Sequence, residues 1–237
     1  MTGAGEPGLR IRSGHGPVTG VVLVLGGGRA DSLARGSRRH LSYQRMRPFA
    51  RTAARAAGPR GVAVWRLRYR VRGWNGDARD PVRDAFWALE LAATRHPGAP
   101  VVLVGHSMGG RTALHAAGAP AVVAVCALAP WIEPGDPVDQ LAGKLVVIAH
   151  GDRDRVTDPA NSRRYATDAA RAGATVAHFE VAGESHALLR RAADWHTLVR
   201  DTVASAFGFP DPRAQLATVL DDPPERRLGV ALAGAGR

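Results

Sequence analysis

The feature that most constrains this chain is the alternation of short apolar runs with longer, Ala-rich stretches. The apolar runs have the length of single buried strands and lie at residues 21–25, 62–69, 101–104, 122–128, 145–149 and 176–181. The stretches between them have the length of helices and lie at residues 42–57, 81–95, 108–117, 159–172 and 188–207. This alternation predicts an α/β fold with a mostly parallel central sheet and helices on both faces. A further edge strand is expected near residues 9–12.

The length and composition indicate one domain with a substantial core. The chain has 237 residues, of which 45% are hydrophobic and 22% charged, as in globular proteins. Proline and glycine become frequent from Gly208 onward. We therefore expect one domain at residues 1–210 and a flexible C-terminal tail at residues 211–237.

The composition also restricts location and cofactors. No apolar run reaches the roughly 18 residues of a membrane span, and residues 1–20 are Gly-rich without the apolar stretch of a secretory signal. The only cysteine, Cys126, excludes an intrachain disulfide framework. We expect a cytoplasmic protein, either monomer or homodimer, with no metal, no cofactor and no membrane partner.

The net charge of +11 is concentrated in one part of the chain. Thirteen arginines lie from Arg29 to Arg72, against the single acid Asp31. One interpretation is a patch for an acidic substrate, a nucleic acid or an anionic surface. The other is a general bias toward arginine, with guanidinium groups solvated on the surface. Because no recognised nucleic-acid module accompanies the charge, we expect no specific nucleic-acid partner.

The segment Gly-His-Ser-Met-Gly at residues 105–109 stands between an apolar strand and a helix. In this context a G-x-S-x-G pattern places the serine at the apex of a strained turn, so Ser107 is the predicted nucleophile. The N–H of Met108 begins the helix and is free to donate to a developing oxyanion. His106 is expected to make a structural hydrogen bond, because it is adjacent to the nucleophile on the same turn.

With this motif the chain resembles the α/β-hydrolases over about residues 18–207. Among them it is similar to the compact, lidless serine esterases and the dienelactone-hydrolase-like members. The resemblance implies a nucleophile, an acid and a histidine in that chain order. Family lids are usually inserted before the acid, where only about residues 130–143 are spare, so we expect no inserted lid domain and an open site. True dienelactone hydrolases use a cysteine nucleophile, so their activity is not implied.

The resemblance also implies which acid takes part. The family has a strand, a glycine, two residues and then the acid, and this pattern selects Asp154 after the strand at residues 145–149. Asp152 is the alternative. Asp158 is expected to cap the helix that begins at Pro159.

The family histidine follows the last strand, where His186 lies in a loop. His178 falls within that strand and His196 within the final helix, so both are expected to be structural. In this arrangement His186 would take the proton of Ser107, and Asp154 would orient the imidazole ring.

A second oxyanion donor is expected from the glycine run at residues 26–28, where the backbone can face a substrate closely. Gly27 is the selected donor and Gly28 its neighbour. The family often has a histidine before this run, whereas this chain has Leu25, which leaves the register open.

Three further side chains are candidates for substrate binding. Trp74 and Trp131 follow two different strands and could wall an acyl pocket or pack in the core. Arg72, or Arg70, could contact an anionic substrate group at the carboxyl ends of the strands. The alternative for these arginines is an ion pair with helix carboxylates such as Asp80 or Asp84.

Together these observations predict a serine hydrolase that cleaves carboxylic esters or thioesters of a small-molecule acyl substrate through an acyl-enzyme. The same Ser-Asp-His set would also serve an acyltransferase or a peptidase. The alternative from another class is a non-catalytic binding protein that uses its basic stretch for acidic partners.

Overall fold

A computed structural model describes residues 5–234, which form one sheet flanked by helices. The strands are β1 (Gly8–Arg12), β2 (Gly20–Leu25), β3 (Val62–Arg68), β4 (Val101–His106), β5 (Val122–Leu128), β6 (Leu145–Gly151), β7 (Thr175–Val181) and β8 (Val230–Ala231). The helices are α1 (Leu41–Ala57), α2 (Asp80–Arg95), α3 (Met108–Ala116), α4 (Pro159–Arg171), α5 (Ala192–Ala206) and α6 (Gln215–Asp221). Residues 1–4 of the predicted domain and 235–237 of the predicted tail lie outside the described residues.

The sheet is almost entirely parallel. Its strand order is β1-β3-β2-β4-β5-β6-β7-β8, and the only antiparallel pairing in this described sheet joins β1 to β3. Helical crossovers between parallel strands bring the carboxyl ends of β2 and of β4 to β7 to the same edge of the sheet. The predicted α/β class, the mostly parallel sheet and the edge strand near residues 9–12 are confirmed.

Each face of the sheet has its own hydrophobic core. Alternation along β2 sends Val21, Leu23 and Leu25 to the face covered by α2, α3 and α4, and Val22 and Val24 to the face covered by α1, α5 and α6. Burial on both faces explains why the central strands are continuous apolar runs in the sequence. None of the helices within residues 5–234 combines the length and the apolar character needed to cross a membrane.

The connection from β5 to β6 carries no inserted domain. Residues 129–144 form a loop with one short 3₁₀ turn, Asp139–Leu141. The expected absence of a lid between the nucleophile and the acid is therefore confirmed for this connection. The carboxyl edge of the sheet is uncovered by this part of the chain.

The C-terminal segment differs from the expected tail. Helix α6 packs against α5 and β7, with Leu216 and Val219 buried, and β8 pairs in parallel with β7. Leu232 is also buried, and its N–H donates to the carbonyl of Glu180 at 2.9 Å. Without this segment β7 would be an edge strand with unpaired backbone groups. The frequent prolines and glycines mark turns between short elements of the domain.

Substitution of a buried residue of α6 tests whether this helix belongs to the core. Leu216→Ala is expected to lower the free energy of unfolding by about 2–5 kcal/mol, because it leaves a cavity between α6 and the sheet. Equilibrium urea unfolding measures the change. Thr218→Ala on the exposed face of the same helix is the control, with an expected change below about 0.5 kcal/mol. Equally small effects of both substitutions would contradict a core position for α6.

Candidate active site

Ser107 lies on a strained turn between β4 and α3. Its backbone has φ 58° and ψ −123°, a region that residues other than glycine rarely adopt. The Ser107 N–H donates to the carbonyl of Leu128 at 3.1 Å. The Ser107 carbonyl accepts from the N–H of Trp131 at 3.1 Å and of Gly110 at 2.9 Å. The turn is thus held from β5 and from the loop after it.

Two glycines allow the backbones around this turn to approach closely. A Cβ atom at Gly105 would lie 2.1 Å from the carbonyl oxygen of Gly109. A Cβ atom at Gly109 would lie 2.3 Å from the carbonyl oxygen of Leu25. Because both distances are far below van der Waals contact, neither position accepts a side chain without backbone movement. The start of α3 is therefore held against the end of β2, beside Ser107.

Three side chains from three loops form one hydrogen-bonded chain. The Nε2 atom of His186 lies 3.0 Å from the Oγ of Ser107, and its Nδ1 atom lies 2.7 Å from the Oδ2 of Asp154. The three residues follow β4, β6 and β7, whose carboxyl ends lie at the same edge of the sheet. The structure therefore brings together the serine, acid and histidine that were predicted from the sequence.

Asp154 is a buried carboxylate that makes five hydrogen bonds to four residues. Its Oδ1 accepts from the N–H groups of Val156 and Thr157 at 2.8 and 3.1 Å. Its Oδ2 lies 2.9 Å from the Thr157 Oγ1 and 3.1 Å from the His150 Nε2, in addition to the His186 contact. Burial alone would raise the pKa of Asp154, but these hydrogen bonds hold the pKa well below its ordinary value. The carboxylate is charged at neutral pH.

The other two acids of this loop have different contacts. The Asp152 carboxylate accepts from the N–H of Gly183 at 2.7 Å and so joins the loop after β6 to the loop after β7. The Asp158 carboxylate accepts from the N–H of Ala160 at 2.9 Å and caps α4. Within the described chain, only Asp154 of the three acids is hydrogen-bonded to His186.

Glu184 holds the loop that carries His186. Its buried carboxylate accepts from two backbone N–H groups at 2.8 Å each and from the indole N–H of Trp195 at 3.3 Å. Burial alone would raise the pKa of Glu184, but these hydrogen bonds lower it, so the group is charged. A Cβ atom at Gly151 would lie 2.4 Å from the Glu184 carbonyl oxygen, so the two loops pack directly on each other. Sequence reasoning missed Glu184, although it lies only two residues before His186.

His106 makes a structural hydrogen bond inside the site. Its Nε2 atom lies 3.0 Å from the carbonyl oxygen of His186. Burial, and then the neighbouring His186, lowers the pKa of His106 to about 3, so the ring is neutral and donates through Nε2. This bond joins the end of β4 to the His186 loop.

The other two histidines that were weighed lie outside the hydrogen-bonded chain. The Nδ1 of His178 accepts from the N–H of Gly229 at 3.2 Å, and burial lowers the pKa of His178 to about 4. The Nδ1 of His196 lies 2.9 Å from the Oγ1 of Thr52, between α5 and α1. No group of three or more His, Cys, Asp or Glu side chains in residues 5–234 has the arrangement of a metal site.

The two candidate oxyanion donors lie next to Ser107. Met108 is the first residue of α3, so its N–H has no acceptor within the helix. A Cβ atom at Gly27 would lie 3.3 Å from the Ser107 Cβ and 3.7 Å from its Oγ. A Cβ atom at Gly28 would instead lie 2.4 Å from the side chain of Met108 and from the Arg72 carbonyl oxygen. Of these two glycines, Gly27 is the one that faces the hydroxyl.

Trp74 and Trp131 line a pocket next to the nucleophile turn. Their ring centroids are 6.1 Å apart in an edge-to-face arrangement, and the Arg111 guanidinium lies over both rings at 4.2 and 4.6 Å. Asp136 pairs with Arg111 at 2.8 Å. The pocket has a volume of about 320 Å³ and a partly acidic lining, which does not include Ser107 itself. Sequence reasoning missed Arg111 and Asp136, because only their tertiary contact brings them to these tryptophans.

The two arginines considered for an anionic substrate group are placed differently. Arg70 forms ion pairs with Asp84 and, at 3.2 Å, with Asp80, as in the alternative interpretation. Arg72 is half-buried and lines a cavity of about 30 Å³ beside the glycine run of residues 26–28. Burial, and then the charge of Arg72, lowers the pKa of His40 in that cavity. Arg72 therefore lies close to the candidate oxyanion loop.

Comparison of the sequence with models of known protein families identifies the family of this chain. The model of the alpha/beta hydrolase family matches residues 21–236. This match covers most of the sequence, so the protein belongs to the alpha/beta hydrolase family, and the resemblance noted from its motifs is confirmed. Membership of this family places it among the hydrolases. No curated protein matches it in sequence.

Solved structures with low sequence identity share this fold. An alpha-beta serine hydrolase homologue from Coxiella burnetii is 17% identical, covers 82% of this chain and 90% of its own, and has a TM-score of 0.61. Est1E from Butyrivibrio proteoclasticus with bound ferulic acid is 12% identical, with 84% and 95% coverage and a TM-score of 0.62. XC6422 from Xanthomonas campestris, an a/b serine hydrolase without a lid, is 19% identical, with 84% and 87% coverage and a TM-score of 0.56.

Because His106 is buried as a neutral ring, we expect acid to lower the free energy of unfolding. The pKa of His106 is about 3 when folded and 6.5 ordinarily, so its contribution to stability is complete above about pH 6.5 and is lost as the pH falls toward 3. His106→Gln keeps a donor for the His186 carbonyl but does not titrate. Below about pH 6.5, the free energy of unfolding of the wild type is expected to fall by up to about 1.4 kcal/mol more per pH unit than that of the variant.

Urea unfolding between about pH 7 and pH 4.5 measures this difference. The exposed His15, changed to Gln in the same way, is the matched control and is expected to keep the wild-type slope. Identical slopes for the wild type and His106→Gln would contradict the assignment of a buried neutral ring.

Proposed function

We propose that this protein is a lidless serine hydrolase that cleaves carboxylic esters or thioesters through an acyl-enzyme. The observation that carries the proposal is the hydrogen-bonded chain from the Ser107 hydroxyl through His186 to the buried Asp154. Membership of the alpha/beta hydrolase family supports hydrolysis as the class of reaction. We also propose that its substrate is a small acyl compound and that the protein is cytoplasmic.

Formation of the acyl-enzyme begins with proton transfer. The His186 Nδ1–H donates to the charged Asp154, so Nε2 is left as the acceptor that faces Ser107. As the Ser107 Oγ bonds to the acyl carbon, His186 takes the hydroxyl proton, and Asp154 stabilises the resulting imidazolium. His186 then passes that proton to the leaving oxygen or sulfur as its bond to the acyl carbon breaks. A free alcohol or thiol departs.

The carbonyl oxygen gains negative charge during this step. We assign the N–H groups of Met108 and Gly27 as donors to that oxygen, since one begins α3 and the other lies next to the Ser107 hydroxyl. In the second half of the reaction, water attacks the acyl carbon and gives its proton to His186. The bond to the Ser107 Oγ breaks, the serine regains its proton, and a carboxylic acid leaves.

Water must therefore reach the acyl-enzyme. The His186 side chain is 18% exposed, and the connection from β5 to β6 carries no lid. This accessibility supports hydrolysis over acyl transfer, in which an acceptor alcohol or amine must compete with water. Peptide cleavage would use the same residues. The rates of hydrolysis of esters and of aminoacyl amides by the wild type distinguish the two activities.

The size of the acyl group is proposed from the neighbouring pocket. Trp74 and Trp131 form a wall of a pocket of about 320 Å³, which is near the lower end of the roughly 300–1,000 Å³ of small-molecule sites. Such a wall favours a compact acyl or aromatic group. The presence of ferulic acid in the related Est1E structure is consistent with this class of ligand. Arg72 is proposed to contact an anionic substrate group, since it lies beside the glycine run.

Ser107→Ala is expected to lower kcat/KM for p-nitrophenyl butyrate by at least about a thousandfold and to abolish labelling by a fluorophosphonate probe. Ser205→Ala, in α5, is the matched control and should retain both properties. Tests of short-chain esters, thioesters and aminoacyl amides on the wild type then identify the bond cleaved. An unlabelled Ser107, or hydrolysis that persists in the alanine variant, would exclude the proposed nucleophile.

The choice of acid is tested by two Asp→Asn variants in one loop. Asp154→Asn removes the charge that stabilises the His186 cation and is expected to lower kcat about a thousandfold or more. Asp152→Asn keeps an acceptor for the Gly183 N–H and is expected to lower kcat less than about tenfold. Steady-state kinetics on the same ester give both values. The reverse order of effects would transfer the role to Asp152.

A further inference from the structure

A groove of about 240 Å³ lies between β1, β3 and α1, at the edge of the sheet. Most of its lining residues are arginines: Arg10, Arg12, Arg47, Arg51 and Arg66. Its lining includes no acidic residue, and the remaining lining side chains are apolar. We call this feature the arginine groove. Three of these arginines belong to the basic stretch of residues 29–72, and none of them takes part in the proposed hydrolase mechanism.

The strand register brings two walls of the arginine groove together. Arg10 lies opposite Arg66 in the antiparallel pair of β1 and β3, and Arg12 lies opposite Val64. Opposite residues of such a pair point to the same face of the sheet. Arg47 and Arg51 are one turn apart on α1, which covers this face. Three separate elements therefore direct guanidinium groups into one groove.

This arrangement of charges is unfavourable without a ligand. Like charges opposite each other on paired strands are destabilising, and so are like charges four residues apart on a helix. None of the five arginines forms an ion pair with another residue in the described chain, unlike Arg70 and Arg111, which both have carboxylate partners. The groove has positive charge without an internal counter-charge.

The buried member of the groove, Arg66, also has no counter-charge in the part of the chain that the structure describes. Arg66 is only 6% exposed, and its guanidinium carbon lies 4.1 Å from the centre of the Tyr43 ring. Its Nη1 atom has no hydrogen-bond partner among the described residues. A buried donor without a partner costs free energy, and such donors are rare in folded proteins. An anion in the groove would supply charge to this guanidinium group and acceptors to its neighbours.

We infer that the arginine groove binds a compact anion that carries phosphate groups, at a site separate from Ser107. Guanidinium forks match the oxygens of phosphate in paired hydrogen bonds, and two adjacent phosphates can reach several of these arginines. The volume is below the roughly 300–1,000 Å³ of sites for drug-sized ligands, which favours a small ligand. The groove lies on β1 and β3, which are three and two strands from β4, roughly 14 and 10 Å across the sheet. Its lining includes none of Ser107, Asp154 and His186, so the site is distinct from the hydrolase site.

Inorganic pyrophosphate is the probe for this site. Titration calorimetry at constant ionic strength is expected to show saturable binding to the full-length wild type. Arg47→Ala/Arg51→Ala should weaken that binding at least about tenfold. Arg39→Ala/Arg55→Ala removes the same charge from exposed positions outside the groove and is the matched control, with an expected change below about threefold. Arg10→Ala/Arg12→Ala, on the opposite wall, should repeat the tenfold loss.

Thermal unfolding separates a ligand site from a structural role. Without pyrophosphate, Arg47→Ala/Arg51→Ala should melt no lower than the control variant, since it removes like-charge repulsion. With pyrophosphate, the melting temperature of the wild type should rise more than that of this variant. The proposal fails if pyrophosphate does not bind, or if the control Arg39→Ala/Arg55→Ala weakens the binding as much as Arg47→Ala/Arg51→Ala does. Binding to a DNA duplex that pyrophosphate cannot displace would also overturn it.

Discussion

The backbone turn at Ser107 is the constraint on which the rest of the site depends. A left-handed, non-glycine conformation of this kind costs about 1–3 kcal/mol and persists only when the surrounding structure holds it. Here β5 and the loop after it hold both backbone groups of Ser107, and Gly105 and Gly109 allow α3 to lie against the end of β2. The same contact brings Gly27 beside the hydroxyl. One strained residue thus exposes its side chain, orients the start of a helix and positions a second loop.

Two buried carboxylates hold the other side of the site. Asp154 and Glu184 both accept backbone N–H groups of their own loops, which compensates for their burial and fixes those loops in place. The Asp152 carboxylate joins the two loops, and His106 joins the second loop to the end of β4. His186 is therefore held by contacts with Asp154, Ser107 and His106, while part of its ring stays exposed to water. Such preorganised polar groups are what a reaction that develops charge requires.

The structure divides the basic stretch of residues 29–72 into parts with different environments. Arg70 is paired with helix carboxylates, and Arg72 lies beside the glycine run. Arg47, Arg51 and Arg66 face the arginine groove together with two arginines of β1, which precede the stretch in sequence. Neither a continuous binding patch nor a uniformly solvated surface describes all of these positions. The strand register and the packing of α1 decide the environment of each arginine.

The amino-acid sequence by itself determined strands β1 to β7, helices α1 to α5 and the order of the three candidate residues. Strands buried on both faces must be continuously apolar, and the strand-turn-helix segment around Ser107 is local, so both features are visible without the fold. The tertiary structure alone decided the position of the C-terminal segment, because the burial of Leu216 and Leu232 depends on α5 and on the otherwise unpaired edge of β7. It alone also decided the supporting contacts of Glu184 and Arg111. Arg111 pairs with Asp136, which lies 25 residues further along the chain. Glu184 meets the Arg191 N–H and the Trp195 indole only because its loop folds back on itself, and no local sequence pattern encodes either contact.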